Sequence, residues 1–162
     1  MRKNFIPKIL NAIVILGISI TCILYLINPL IVKDFLKSRY SISDYRMVIT
    51  ISTCIYLLGV PYIIALFKLR ELCGLVVKNN PFSIESVKSL KVISMCCFSE
   101  LIFIIGCEKY LDYSMEGFKY IPTGLPIAAL TIICLTIGLL CIVLSQLFEI
   151  AIKIKEENDE TI

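Results

Sequence analysis

Few side chains in this sequence could do chemistry. Histidine is absent from the 162 residues, which removes imidazole acid–base catalysis, His-ligated haem and His-containing metal sites. One carboxylate stands out by position. Glu100 is the single charge in the stretch 92–107, which is otherwise uncharged. A carboxylate inside apolar sequence is costly to keep ionised, and such residues default to functional hypotheses. As a structural acid it would be hydrogen-bonded, with Thr50, Ser52, Thr53, Thr131 and Thr136 as the available hydroxyls. As a functional group it would handle a proton, a cation or a ligand. No second acid or base stands inside an apolar stretch, so an ion pathway through a monomer is disfavoured. A homo-oligomer would be needed to assemble a ring of such acids.

The 8 cysteines suggest redox or metal chemistry by number but not by spacing. No C-x-x-C pair occurs, and Cys96 and Cys97 are adjacent in apolar sequence. Cys22, Cys54, Cys134 and Cys141 also lie in apolar runs, where cysteine acts as a small polarizable hydrophobe. Cys73 stands beside such a run, where a juxtamembrane cysteine is open to palmitoylation or crosslinking. There is no phosphate loop, nucleophile elbow or acidic metal motif. No catalytic residue, cofactor site or metal site is therefore assigned, and the chain reads as non-enzymatic.

The elements that hold these residues follow from how charge is distributed. The chain is 58% hydrophobic and 18% charged, with mean hydropathy +0.88, and its charges are bunched. Uncharged runs of 24, 21 and 29 residues lie between Lys8 and Lys33, Arg46 and Lys68, and Lys119 and Glu149. Runs of about 18 or more apolar residues read as transmembrane helices. The fold class is thus all-α, a polytopic membrane protein with four spans near residues 9–32, 47–67, 90–107 and 125–148. That excludes a soluble globular domain, a secreted disulfide scaffold and direct nucleic-acid binding. The first run is too long for a signal-peptide core and reads as an uncleaved span. Pro61 falls inside the second, which membrane helices tolerate when neighbours re-satisfy the backbone. Small residues at near-helical spacing, Gly17 with Thr21 and Gly138 with Ser145, read as packing contacts.

Lysine and arginine set the orientation. The N-terminus, the segment 68–91 and the tail 149–162 hold 10 of them, against 6 in the connections 33–46 and 108–120. The positive-inside bias places both termini in the cytoplasm of a plasma-membrane protein, N-in/C-in. Tyr40, Tyr45, Tyr110, Tyr113 and Tyr120 then fall at the outer headgroup level.

The cytoplasmic segments carry the most pattern. Leu69, Leu72, Cys73, Val76 and Val77 form one helical stripe, so the second span continues as a helix or bends along the surface. Asn79, Asn80 and Pro81 stop it, since asparagine tolerates the left-handed conformation and proline disfavours helix before it. After Phe82, Ser83 can cap a new helix, with Glu85 in its first turn. The segment 68–91 is a cytoplasmic helical hairpin of net charge +3, whereas the tail 149–162 is net −3. Leu147, Ile150, Ala151 and Ile154 keep helical spacing into that tail. Opposite charge on one face of a small bundle predicts that the tail docks on the hairpin as a helical cytoplasmic cap.

With Asn80-Pro81-Phe82-Ser83, Glu85, Leu90-Lys91 and the ending Glu156-Glu157-Asn158-Asp159-x-Thr161-Ile162 in view, the chain resembles the bacterial membrane-protein family called domain of unknown function 2975. The resemblance spans nearly the whole chain. In the family's usual ending an apolar residue follows the Asn-Asp pair, whereas this chain has Glu160. The family has no established biochemical activity. Its members are often encoded beside a small helix-turn-helix regulator of the phage-repressor type, which implies a regulatory partner at the membrane. The expected function is a non-enzymatic sensor or regulator acting through its cytoplasmic face. The alternative is a small transporter or immunity-type membrane protein in which Glu100 handles a cation or proton.

Overall fold

The computed structural model describes residues 5–40, 44–78, 80–115, 118 and 121–160, with the side chains of 5–8 and 159–160 left aside. Four long helices make up almost all of it: α1 (Phe5–Tyr40), α2 (Tyr45–Val77), α3 (Ile84–Ser114) and α4 (Gly124–Glu160). Each is long and apolar enough to cross a membrane. In hydrocarbon only structures that satisfy every backbone group internally are viable, and a helix does so within one segment. The chain is a multi-pass membrane protein.

Each helix outruns the uncharged stretch it contains. The connection 33–46, expected to lie outside the first span, is mostly a continuation of α1. No breaker falls between Val32 and Tyr40, and Lys37 and Arg39 sit in the last turn, where the macrodipole favours cations. Leu36, 1% exposed, keeps the helix packed there. Asp44 then caps α2, its side chain accepting from the Arg46 N–H at 2.9 Å. Likewise α3 runs through residues 108–114, held by buried Leu111. Pro29 and Pro61 both lie inside continuous helices.

Neighbouring helices pack in chain order, α1 on α2, α2 on α3, and α3 on α4. All three pairs are antiparallel: Asn28 meets Ser52, Cys54 clusters with Cys107, and Lys91 meets Glu149. The start of α1 and the end of α4 therefore lie at the same end of the array. The inner helices α2 and α3 carry most of the buried residues, while α1 and α4 present long apolar faces outward. Lipid is the natural solvent for such faces.

Two apolar clusters hold the ends. Val32, Leu36, Met47, Val48, Cys54, Cys107, Leu111 and Phe118 form one, away from the termini. Leu90, Ile93, Cys97 and Cys141, with Ala65, Leu72 and Phe148, form the other. Lipid tails are as apolar as leucine, so helices in a bilayer associate through close van der Waals fit, for which small residues are suited. Six of the eleven buried residues of α3 are small, Ser86, Ser89, Ser94, Cys96, Cys97 and Cys107, set among Val87, Leu90, Ile93, Ile104 and Leu111. A Cβ on Gly138 would come to 3.3 Å from the Cys97 Cβ, and Ser145 is 1% exposed, so this pair packs as the spacing predicts. Gly17 does not, having nothing within 4 Å of such a Cβ. It faces outward because α1 touches its neighbour along one narrow side.

Candidate functional site

Two places gather the residues singled out above, and they lie at different depths. The first is the end of the array that bears the termini. The backbone N–H of Asn80 donates to the Leu75 carbonyl at 3.1 Å and helps close α2. Pro81 and Phe82 follow, and Ser83 adopts an extended conformation with its hydroxyl accepting from the Ser86 N–H at 3.3 Å. This is an N-cap, with Glu85 in the first turn of α3 as expected. The Asn79 part of the stop lies outside the described residues.

The turn docks on α4. Phe82 meets Phe148 edge to face, ring centroids 5.0 Å apart, and Lys91 donates to Glu149. One turn further, Ile84 and Val87 of α3 face Glu149, Ile152, Lys153 and Glu156 of α4 across a shallow groove of about 180 Å³. The sequence thus brings the two motifs together through the root of the acidic segment. Lys153 and Glu157 pair along α4 at 3.9 Å. On the basic side, Lys68 pairs with Glu71 on its own helix at 2.7 Å. Glu156, Glu157 and Asn158 lie on the exposed last turns of α4. The side chains of Asp159 and Glu160, and residues Thr161 and Ile162, fall outside the description. Phe148 was not singled out in the sequence, where it is merely the last apolar residue before Glu149.

Cys73 belongs to this end but not to its surface. It is 2% exposed, and burial pushes its thiol above the usual range. It is neither the palmitoylation site nor the crosslinking handle expected from its position, because this one position of the stripe turns inward while Leu69 of the same stripe stays exposed.

The second place is a polar layer midway along the helices. Glu100 lies on α3, half-buried. None of the five expected hydroxyls meets it. Thr50, Thr53, Thr131 and Thr136 instead donate to the carbonyl four residues back in their own helices, at 2.8–2.9 Å. Intrahelical back-bonding is the nearest satisfaction available to a threonine in an apolar helix. The hydroxyl of buried Ser52 has no partner. Glu100 lies instead within electrostatic reach of Tyr25 on α1 and Cys134 on α4.

Tyr25 organises this layer. Its ring fills the notch left by Gly59, where a Cβ would collide with it, and stacks on Tyr56 at 5.8 Å. The Tyr56 hydroxyl donates to the Tyr25 carbonyl at 3.0 Å, and the Asn28 side-chain amide donates to the Ser52 carbonyl at 3.3 Å. A cavity of about 310 Å³ opens beside them, lined by Thr21, Leu24, Tyr25, Asn28, Ile55 and Tyr62 among others. The available signal was a tyrosine and an asparagine at i and i+3 inside an uncharged run, opposite a Gly-x-Pro-Tyr. Among the described residues no three cysteine or carboxylate side chains come together as a metal site.

The profile of the family described as "Protein of unknown function (DUF2975)" matches residues 10–162. The chain is also similar to the "Uncharacterized membrane protein YoaS" of Bacillus subtilis (strain 168), at 29% identity over 153 residues, covering 93% of each chain. No solved structure matches it.

Proposed function

Since the chain belongs to the DUF2975 family of proteins of unknown function, we propose that it is a non-enzymatic membrane regulator, acting through the end that bears both termini on a soluble, basic partner. That end faces the cytoplasm across the plasma membrane, following the bias of lysine and arginine. The observation that carries this reading is the placement of acid on α4. A helix C-terminus holds partial negative charge, so cations are favoured there and each acid is unfavourable by roughly 0.3–1 kcal/mol. The last turn of α4 has no basic residue, while Glu156, Glu157, Asp159 and Glu160 crowd it. Helix stability alone would select the opposite charge. The acids make physical sense as a surface for something outside the chain.

A helix-turn-helix regulator of the type that accompanies the family has the matching chemistry. Its DNA-reading face is basic, since affinity for DNA rests on neutralising phosphates. An acidic helix docked there would compete with the operator and hold the regulator at the membrane. The docked turn, Asn80-Pro81-Phe82-Ser83 against Phe148, fixes where that helix points. Co-purification tests this. The full chain should retain a helix-turn-helix regulator of that type, and the chain ending at Lys155 should release it. Equal retention by both overturns the reading.

A further inference from the structure

The polar layer at mid-depth has no part in that cytoplasmic reading. We propose that the crevice beside Tyr25 binds the hydroxyl head of a neutral, lipid-soluble alcohol or phenol entering from the bilayer.

The chemistry of the occupant follows from the walls. Thr21, Tyr25, Asn28 and Tyr62 line the crevice together with Leu24, Ile55 and another isoleucine. No lining residue is charged, so an ionic occupant would find no counterion there. Asn28 decides the rest. It is 6% exposed, and its amide nitrogen donates to the Ser52 carbonyl at 3.3 Å. That bond fixes which end of the amide carries the nitrogen and leaves the Asn28 oxygen without a donor among the described residues. The unpartnered oxygens sealed inside the protein are those of Ser52 and Ser89; that of Asn28 opens on the crevice instead. In hydrocarbon no water supplies the missing donor, and a polar group without its hydrogen bond is costly there. A hydroxyl donates and accepts at a single atom, so it can give its proton to Asn28 and accept from the phenol of Tyr62. A ketone, an ester or a quinone brings no donor for Asn28. The apolar body follows from the walls Leu24 and Ile55 and from the outward exposure of Leu24 and Tyr62, which open the crevice to lipid. The volume, about 310 Å³, is at the lower end of the range of small-molecule sites and suits the head of such a molecule.

A photoreactive octanol carrying a diazirine is the probe. The full chain in lipid nanodiscs should be labelled saturably, with adducts on the residues of α1 and α2 that line the crevice. Octanol should compete. Octyl methyl ether, which accepts a hydrogen bond but cannot donate one, should compete roughly tenfold less well, the factor that one hydrogen bond is worth. Asn28→Leu should lose most of the labelling, and Tyr62→Phe, which keeps the ring, should weaken it severalfold. Size-exclusion profiles identify any variant that has simply misfolded, and competition by the ether tests the native chain without any variant. Labelling that does not saturate, equal competition by the ether, or unchanged labelling of folded Asn28→Leu would each overturn the proposal. None of these results depends on the cytoplasmic partner.

Discussion

Ser83 shows how much one side chain decides here. Its hydroxyl accepts from the Ser86 N–H, and loss of such a cap costs about 1 kcal/mol. Ser83→Ala should lower stability by that amount in a reversible detergent unfolding titration, and Ser83→Asp should retain most of it. The cap was legible in the sequence because it is local: a stop, a serine, then an acid in the first turn. Cys73 was misread for the opposite reason. Its exposure depends on which way its side of the helix faces, and at 2% exposed it is covered by packing that the local sequence does not reveal. In the intact protein a water-soluble maleimide should therefore label Cys73 far more slowly than the unfolded chain, as a buried thiol offers little thiolate. Labelling at equal rates would contradict its burial.

Helices were easier to read than their ends or their contacts. An uncharged run of 20 residues or more leaves little choice but a membrane helix, yet the charged turns beyond each run are helical too. Beyond the first and third runs they are held by packing at Leu36 and Leu111 rather than by hydropathy. Pairing between elements was readable only where charge gave a hint. The basic hairpin and acidic tail do meet, but through few groups. Lys91 and Glu149 are half exposed, side chains 53% and 50% accessible, and such pairs contribute about 0.2–1 kcal/mol. The Phe82–Phe148 contact should contribute about 0.5–1.5 kcal/mol beyond area. A double-mutant cycle with Phe82→Ala and Phe148→Ala should show coupling of that size. Coupling near zero would mean that the turn is held by its own caps and not by α4. The seat of Tyr25 was unreadable because its ring fills a notch left by Gly59 on the next helix, a relation between helices with no local trace.

At the scale of the molecule, the helices form an open series in which α1 and α4 flank an inner pair. This leaves a crevice beside Tyr25 partway along the helices, and the Phe82–Phe148 contact near the end of α4. The antiparallel order fixes the relative sides of the segments. A tag at residue 79 and one at the C-terminus should report the same side, the cytoplasm, and a tag at residue 42 should report the other. The acids at the end of α4 sit against the helix dipole, and that sets up the central test. Full-length protein in nanodiscs is titrated with a helix-turn-helix regulator of the type that accompanies the family, alongside a variant carrying Glu156→Gln, Glu157→Gln and Glu160→Gln. The account predicts salt-sensitive binding by the native chain and loss of binding by the variant, with the variant's helix at least as stable. Native affinity in the neutralised variant, or no binding by the native chain at low salt, would contradict it.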